Sequence, residues 1–260
     1  MATELIRQKW NPRAILKLIV LSATYRQSAE VTPQHQEVDP QNRLLARAPR
    51  WRLPAETVRD NALAISGLLQ QRIGGPSVYP YQPAGLWEDV SVETRVKYVA
   101  DRGVGLYRRS MYTFWNRPSP PPTMTTFDAP DRETCQVRRG RTNTPLQALV
   151  LMNDVQFVEA ARRFAERVMS DGGANVAERT TFAFRTVLAR KPTTSEMNTL
   201  TNLFAEYQSE FKAAPGTAGK LLAAGESSRN QELNAEEHAA WTMTVSYTHL
   251  RANETEADLV

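Results

Sequence analysis

Cysteine is almost absent from the 260-residue chain, in which Cys135 is the sole example. One thiol excludes an internal disulfide, a cysteine-rich zinc site and the paired cysteines that attach a c-type haem. We therefore expect no haem, metal or other cofactor on this chain. Because no histidine lies near Cys135 in the sequence to activate it as a nucleophile, we expect a buried structural thiol.

Long apolar runs and a strong charge of one sign are also missing. The longest apolar run, residues 15–23, is interrupted by Lys17 and is too short to cross a bilayer. No signal peptide is recognisable at Met1. The 32 basic and 28 acidic residues give a net charge of +4, which is too small to indicate nucleic acid binding. We expect neither a membrane span nor a nucleic acid partner.

The motifs of the common catalytic classes do not occur. The sequence has no P-loop, no dinucleotide-binding glycine motif, no HExxH zinc motif and no recognisable Ser-His-Asp arrangement. Motifs therefore indicate no class of reaction for this chain.

What is present is the pattern of a helical protein. Hydrophobic residues make up 41% of the chain, which is enough for a core at this length. We predict a mainly α fold, an irregular helical domain with long Pro/Gly-rich loops and a C-terminal helix pair. We divide it into a core module at 1–172 and a C-terminal helical part of the same module at 173–243. The loops fall at 74–90 and 117–134, with an extended proline run at 120–122 and a loose linker at 213–230.

Helix-start signals locate most of the predicted helices. Asn11 and Pro12 precede an apolar run, which predicts a helix buried on most sides at the centre of the core. Pro54 begins a second helix. Its apolar face consists of Val58, Ala62, Ile65 and Leu69.

Capping boxes mark three further helix starts. They lie at Thr144 to Gln147, Asn153 to Gln156, and Thr193 to Glu196. The C-terminal pair consists of residues 176–188 and the helix after Thr193, joined at Lys191-Pro192. Its second helix carries apolar residues at helical spacing, Met197, Leu200, Phe204, Tyr207 and Phe211.

The most specific segment of the chain is 126–154, TFDAPDRETCQVRRGRTNTPLQALVLMND. Arg138, Arg139 and Arg141 precede a helix N-terminus, whose amide groups and dipole also favour an anion, so an anionic ligand is one interpretation. The other is that these arginines pair with nearby carboxylates and hold the loop to the domain. The carboxylates concerned are Asp128, Asp131 and Glu133. We expect the internal role.

Two other constellations allow more than one interpretation. Asp128 and Asp131 could contribute to a hard-metal site or an acid/base pair, but around Ala-Pro they are typical turn residues, and we expect turns. Residues 107–117 alternate aromatic and arginine side chains in a strip that could stack sugars or bases. We expect instead that the rings, Tyr107, Tyr112, Phe114 and Trp115, are core. The arginines, Arg108, Arg109 and Arg117, should then point outward.

Four ordered blocks carry a family resemblance: residues 22–28, 39–47, 108–117 and 126–154. The chain resembles a planctomycete-type domain of unknown function, the family numbered 1553 among such domains, which is usually found downstream of a cytochrome-like haem domain. The resemblance implies that a haem lies on a separate upstream domain and that this cytochrome-like domain of the parent chain is a partner. It also implies an exported or periplasmic parent protein, of which this chain is a fragment that lacks the opening segment of the family.

The C-terminal end departs from that family after residues 239–243. Residues 245–255 resemble the conceptual translation of a transposase adapter used in sequencing libraries. We therefore interpret residues 244–260 as a non-native tail that makes no defined contacts beyond an accidental extension of the helix from Trp241 and carries no function.

The function that these observations favour is a non-catalytic binding or docking module of a larger exported, cytochrome-associated protein. The alternative is a catalytic domain that acts on an extracellular polysaccharide or another anionic substrate, with Asp128, Asp131 and Arg138 near its site. The candidate binding residues are Asp128, Asp131, Arg132, Arg138, Arg139, Arg141, Thr142 and Asn143.

Overall fold

The computed structural model describes residues 1–49, 52–90, 97–214 and 216–253. It divides into two compact units, Met1–Trp51 and Arg52–Val260. Helices dominate both units, which confirms the predicted mainly α fold. Within the described residues, no helix combines the length and the apolar character that crossing a bilayer requires.

The first unit contains the helices Ala2–Arg7 (α1), Pro12–Leu21 (α2) and Pro33–Val38 (α3). Asn11 caps α2 as predicted, because its side chain accepts hydrogen bonds from the amides of Arg13 and Ala14 at 3.1 and 3.3 Å. The prediction that α2 lies at the centre of the core is wrong, since α2 has no buried residue and Leu16 is 59% exposed. A helix that is apolar all round needs neighbours on every side, and the short helices of this unit bury none of its residues.

Residues 39–47, one of the family blocks, form a loop that is held by hydrogen bonds between its own residues. The Asp39 carboxylate accepts from the amides of Arg43 and Leu44 at 2.8 and 2.6 Å, and these bonds lower the pKa of Asp39. The buried Arg47 guanidinium donates to the carbonyls of Asp39 and Pro40 at 3.0 and 2.8 Å. The charged residues of this block therefore have a structural role.

The second unit contains the remaining helices. They are Ala55–Ser66 (α4), Leu86–Val90 (α5), Pro122–Thr126 (α6), Pro145–Asn153 (α7), Val155–Asp171 (α8), Val176–Leu188 (α9), Thr194–Ala213 (α10), Thr217–Leu222 (α11) and Ala235–Asn253 (α12). Helix α8 is central, because it packs against α4, α7, α9 and α12. The core of this unit therefore surrounds α8.

The main apolar core joins α8 to the C-terminal helices. Phe164 and Val168 of α8 are fully buried with Trp241 of α12, and the Trp241 ring lies 4.5 Å from that of Phe204 on α10. The C-terminal pair has the predicted extent, since α9 covers Val176–Leu188 and α10 begins after a capping box of Thr193 and Glu196. The apolar spacing of α10 therefore located a buried face correctly.

Three local predictions need correction. The side-chain cap of α8 is Asp154 rather than Asn153, because Asp154 Oδ1 accepts from the Gln156 amide at 2.9 Å. Pro122 begins α6 and is not part of an extended run, since proline fits the first turn of a helix. The expected loose linker at 213–230 contains α11, which buries Ala218 and Leu222.

The start of the expected tail also belongs to the fold. Helix α12 continues past Met243, and Val245, four residues after Trp241, is fully buried in the same core. Thr244, Ser246 and Thr248 are buried too. The expectation that these residues make no defined contacts is therefore wrong for 244–248, because helical periodicity continues the packed face of α12. Their non-native origin stays a prediction, and 254–260 lie outside the described residues.

Candidate functional site

The segment that the sequence singled out forms a loop on the surface. Every residue from 131 to 146 is exposed, and residues 131–144 have no helical structure before α7 begins at Pro145. We call residues 131–144 the arginine loop. Arg138 forms no hydrogen bond or ion pair with the residues that the structure describes, and Val137 next to it is fully exposed. The tip of the loop therefore presents cationic and apolar groups to solvent.

The two ends of the arginine loop are fastened together at a neck. Asp128 adopts a left-handed backbone conformation with φ of 60°, and its carboxylate accepts from the Thr142 amide at 2.6 Å and from the Thr142 hydroxyl at 2.9 Å. Gln147, which lies under the loop, donates to the Thr126 carbonyl at 2.8 Å. These bonds fix where the loop leaves and re-enters the domain.

Arg52 strengthens the neck from a distant position in the sequence. Its guanidinium donates to the Thr142 carbonyl at 2.9 Å and also to the side-chain oxygens of Asn143 and Gln147. Gln147 in turn accepts from the Thr144 amide at 3.2 Å, within the predicted capping box at the start of α7. Thr142 and Asn143 are therefore part of the support of the loop rather than of its tip.

The predicted partner of Arg139 is wrong. Arg139 pairs with Glu56 at the start of α4, at 2.8 Å, and Glu133 pairs with Arg117 at 3.7 Å. Partial burial by itself would raise the pKa of Glu56, but the hydrogen bond from Arg139 holds it below its usual value. Asp128 is occupied by Thr142. The sequence suggested the nearest carboxylates along the chain, whereas the folded chain offers Glu56.

Asp131 and Arg132 hold the first part of the loop against Trp115. The Asp131 carbonyl accepts from the Trp115 indole at 3.2 Å, and the Arg132 guanidinium lies 4.5 Å from the Trp115 ring centre. The Asp131 carboxylate accepts from the Glu133 amide at 3.0 Å. Asp131 thus has the turn role that the sequence predicted.

Cys135 is exposed within the arginine loop, so the prediction of a buried thiol is wrong. The prediction rested on the absence of an activating histidine near Cys135, and it failed because the residues on both sides of Cys135 are exposed as well. Arg141 is exposed in the same loop.

The aromatic strip is only partly core. Tyr107 is buried as predicted, but Phe114 is exposed. Arg108, expected to point outward, is buried; its guanidinium lies 3.9 Å from the Tyr112 ring centre and donates to the carbonyls of Pro76 and Gly74 at 2.9 and 2.5 Å. The arginine turns inward because the loop around Gly74 supplies carbonyl acceptors for it.

A second group of charged residues lies inside the domain, on α8. Glu159, Arg162 and Glu166 recur at helical spacing and are buried together with His238 of α12. Arg162 lies 3.9 Å from Glu159 and 3.4 Å from Glu166, and the His238 Nε2 atom lies 3.0 Å from the Arg162 carbonyl oxygen. We call these four residues the buried charge cluster.

Residues 223–234, between α11 and α12, close over the buried charge cluster. The Glu159 carboxylate accepts from the Ser227 amide at 2.6 Å and from the Tyr107 hydroxyl at 2.8 Å. Arg162 donates to the carbonyl and hydroxyl oxygens of Ser227, both at 2.6 Å. Gly225 approaches so closely, with φ of 81°, that a Cβ atom there would overlap the Glu159 side chain. We call residues 223–234 the closing loop.

Burial shifts the pKa of several side chains in and around the buried charge cluster. It lowers the pKa of Arg162 and of His238, and it raises the pKa of Tyr81 to about 12 and that of Tyr107 further. Such shifts can mark catalytic groups. Here the carboxylates are covered by the closing loop and hydrogen-bonded to it, so no substrate reaches them in this conformation.

The two cavities that we describe lie on the C-terminal helices. A shallow groove of about 560 Å³ follows the outer face of α9, and a small cavity of about 80 Å³ lies between α9, α10 and α12. The smaller one is lined by Phe184, Ser195, Glu196, Thr199, Leu200, Tyr247 and Thr248. None of the residues lining either cavity belongs to the predicted site. Among the described residues, no group of three or more acidic, histidine or cysteine side chains could hold a metal ion.

Comparison with known families identifies the chain. Residues 1–204 match the family model PSD1, described as a protein of unknown function (DUF1553). The chain belongs to this family. No curated protein and no solved structure matches it. The resemblance stated from the four sequence blocks is thus confirmed, whereas the associated haem domain and the origin of the C-terminal tail stay predictions.

Sequence reasoning missed the residues that support the arginine loop and those of the buried charge cluster. Arg52 and Glu56 are far from the loop in the sequence, and no local pattern links them to it. The spacing of Glu159, Arg162 and Glu166 was visible, because residues three and four apart share one side of a helix. What the spacing could not show is that this side faces the closing loop rather than solvent.

Proposed function

We propose that this PSD1 domain is a non-catalytic docking module and that the arginine loop is its contact surface for an acidic partner. The observation that carries the proposal is the contrast within the loop. Residues 131–144 are all exposed, yet Asp128, Thr142 and Gln147 fix both ends of the loop. A fixed neck lowers the entropic cost of binding, because the loop is already held in place.

The charge of the loop specifies the partner. Arg138 lies near its tip and forms no ion pair with the described residues, whereas the neighbouring Arg139 is paired with Glu56. Guanidinium groups bind carboxylates with two parallel hydrogen bonds, and they lose less hydration than lysine when they do so. An acidic protein surface is therefore the complement that fits. The resemblance to the family suggests a first candidate, the cytochrome-like haem domain of a larger exported parent protein.

The catalytic alternative receives less support from the same contacts. An acid or base at Asp128 would need an accessible carboxylate, but both oxygens of this carboxylate accept from Thr142. Asp131 serves a turn through the Glu133 amide. Neither carboxylate lines the two cavities described above. We therefore favour docking over catalysis on a polysaccharide or another anionic substrate.

Binding to poly-L-glutamate tests this proposal. We expect the chain to bind this polymer with an affinity that falls as salt increases, since exposed charges are screened. Arg138→Glu should weaken binding strongly, whereas Arg26→Glu, at an exposed arginine of the first unit, should not. Equal effects of the two substitutions would show that only the overall charge matters and would contradict the proposal. Full competition by sulfate at millimolar concentration would indicate a small-anion site instead.

A further inference from the structure

Helix α7, which follows the arginine loop directly, is apolar on two opposite faces. Its inner face packs into the domain, where Gln147 and Leu151 are buried. Its outer face carries Leu146, Leu149 and Met152, at positions i, i+3 and i+6, and Leu149 is 56% exposed. No acidic or basic residue occurs in the helix. The solvent-exposed face of a surface helix is normally polar. The apolar outer face of α7 is therefore unusual for a surface in contact with water.

A further exposed apolar residue follows the end of α7 in the sequence. Val155, the first residue of α8, is also exposed. Nine helical residues extend about 13 Å, which matches two to three turns of a second helix laid against them. An amphipathic helix binds such a surface through apolar anchors at i, i+3 or i+4, and i+7. The length of this face and the spacing of its apolar residues therefore suit a helix as the bound element.

The arginines near this face indicate which charge a bound helix should carry. Arg138 and Arg139 lie a few residues before the N-terminal end of α7, and α7 itself offers no carboxylate that would repel an acidic partner. We propose that the outer face of α7, formed by Leu146, Leu149 and Met152, binds an acidic amphipathic helix of a partner protein. The apolar side of the partner helix packs on α7, and the acidic residues of the partner helix face the arginine loop. This inference rests on the proposed docking function and names the partner element.

Labelled synthetic peptides of 15 residues test the inference by fluorescence anisotropy. The first peptide carries leucines at i, i+3, i+7 and i+11 among glutamate and alanine. The second has the same composition with the leucines scattered, and the third keeps the leucine pattern with lysine in place of glutamate. We expect the first peptide to bind at least about tenfold more tightly than either of the others, because only it satisfies both the apolar face and the arginines.

Substitutions on the protein separate the two contributions. Leu149→Gln should weaken binding of the first peptide about tenfold without changing thermal stability, since this side chain is exposed. Leu44→Gln, at an exposed leucine of the first unit, is the matched control and should have no effect. Arg138→Gln should weaken binding and reduce its dependence on salt.

Each contrary result overturns a defined part of this argument. If the first two peptides bind equally and Leu149→Gln has no effect, the inference is wrong while the docking function stands. If the lysine peptide binds as well as the first, the acidic partner is wrong, and the proposed function fails with it. If no peptide binds, or if Leu149→Gln changes only the self-association of the chain in sedimentation experiments, the helix of a partner is not the occupant.

Discussion

Two regions of this domain use arginine in opposite ways. In the arginine loop, Arg138 is exposed and makes no ion pair within the described part of the chain. In the buried charge cluster, Arg162 is fully buried between Glu159 and Glu166 and donates to Ser227. The first region leaves the charge of Arg138 available to another molecule, and the second uses the charge of Arg162 to close the domain.

The difference teaches that position relative to the core, rather than local charge pattern, decides what an arginine does. A surface ion pair contributes about 0 to 1 kcal/mol to the free energy of unfolding. Removing one partner of a buried pair costs about 3 to 5 kcal/mol, because a charge is left without compensation in the interior. The same mutation should therefore give very different results in the two regions.

Replacement of Arg162 by alanine should have the largest effect. It leaves Glu159 buried without its guanidinium partner, removes one of the two arginines that pair with Glu166, which keeps Arg163, and removes two hydrogen bonds to Ser227, so we expect a loss of about 3 to 5 kcal/mol. Urea unfolding followed by circular dichroism measures it. An unfolding midpoint within error of the wild type would show that the buried charge cluster does not hold the closing loop.

Gly225→Ala should come next. A Cβ atom at this position overlaps the Glu159 side chain, and the backbone has a positive φ that alanine adopts with difficulty. We expect a loss of about 2 to 4 kcal/mol. Gly140→Ala is the matched control in the arginine loop, because a Cβ atom there meets nothing within 4 Å. If both variants unfold at the same urea concentration, the close approach of the closing loop is wrong.

Protonation of His238 should add a smaller, pH-dependent effect. Burial lowers the pKa of His238, while Glu166 opposes this shift and Arg229 and Arg162 add to it. The unfolded chain therefore takes up a proton near pH 6.5 and the folded chain only at lower pH. Stability should fall as pH decreases below about 6.5, by up to about 1.4 kcal/mol per pH unit from this group.

The variant His238→Gln isolates this contribution. It removes the titrating group, so its free energy of unfolding should depend less on pH between about 5 and 6.5 than that of the wild type. Urea unfolding at several pH values across this interval gives both curves. Parallel curves would mean that His238 titrates alike in the folded and unfolded chain.

The sequence predicted the helices of the second unit well, because their signals are local. The capping box at Thr193 and the spacing of Leu200 and Phe204 on α10 depend only on neighbouring residues. Local sequence patterns did not predict contacts between residues that are distant in the sequence. Nothing near Arg139 in the sequence points to Glu56, and nothing in the apolar run of α2 says that its residues stay unburied.

The candidate site shows the same division. Residues 126–154 were one of the four blocks that indicated the family, and the turn role of Asp131 followed from its neighbours. The partners of the arginines and the exposure of Cys135 did not. Both depend on how the loop is placed on the domain, and contacts from residues distant in the sequence, such as that of Arg52 with Thr142, contribute to this placement.

Arg138→Ala should have the smallest effect on stability and thereby completes the comparison. Pairing with Asp128, Asp131 or Glu133, as expected from the sequence, would make this substitution cost several kcal/mol if the pair were buried. The exposed position of Arg138 predicts a change within about 0.5 kcal/mol instead. Urea unfolding measures this change, and poly-L-glutamate binding by the same sample should be weakened. A large loss of stability would place Arg138 with Arg162 among the structural arginines, and the arginine loop would then have no charge to offer a partner.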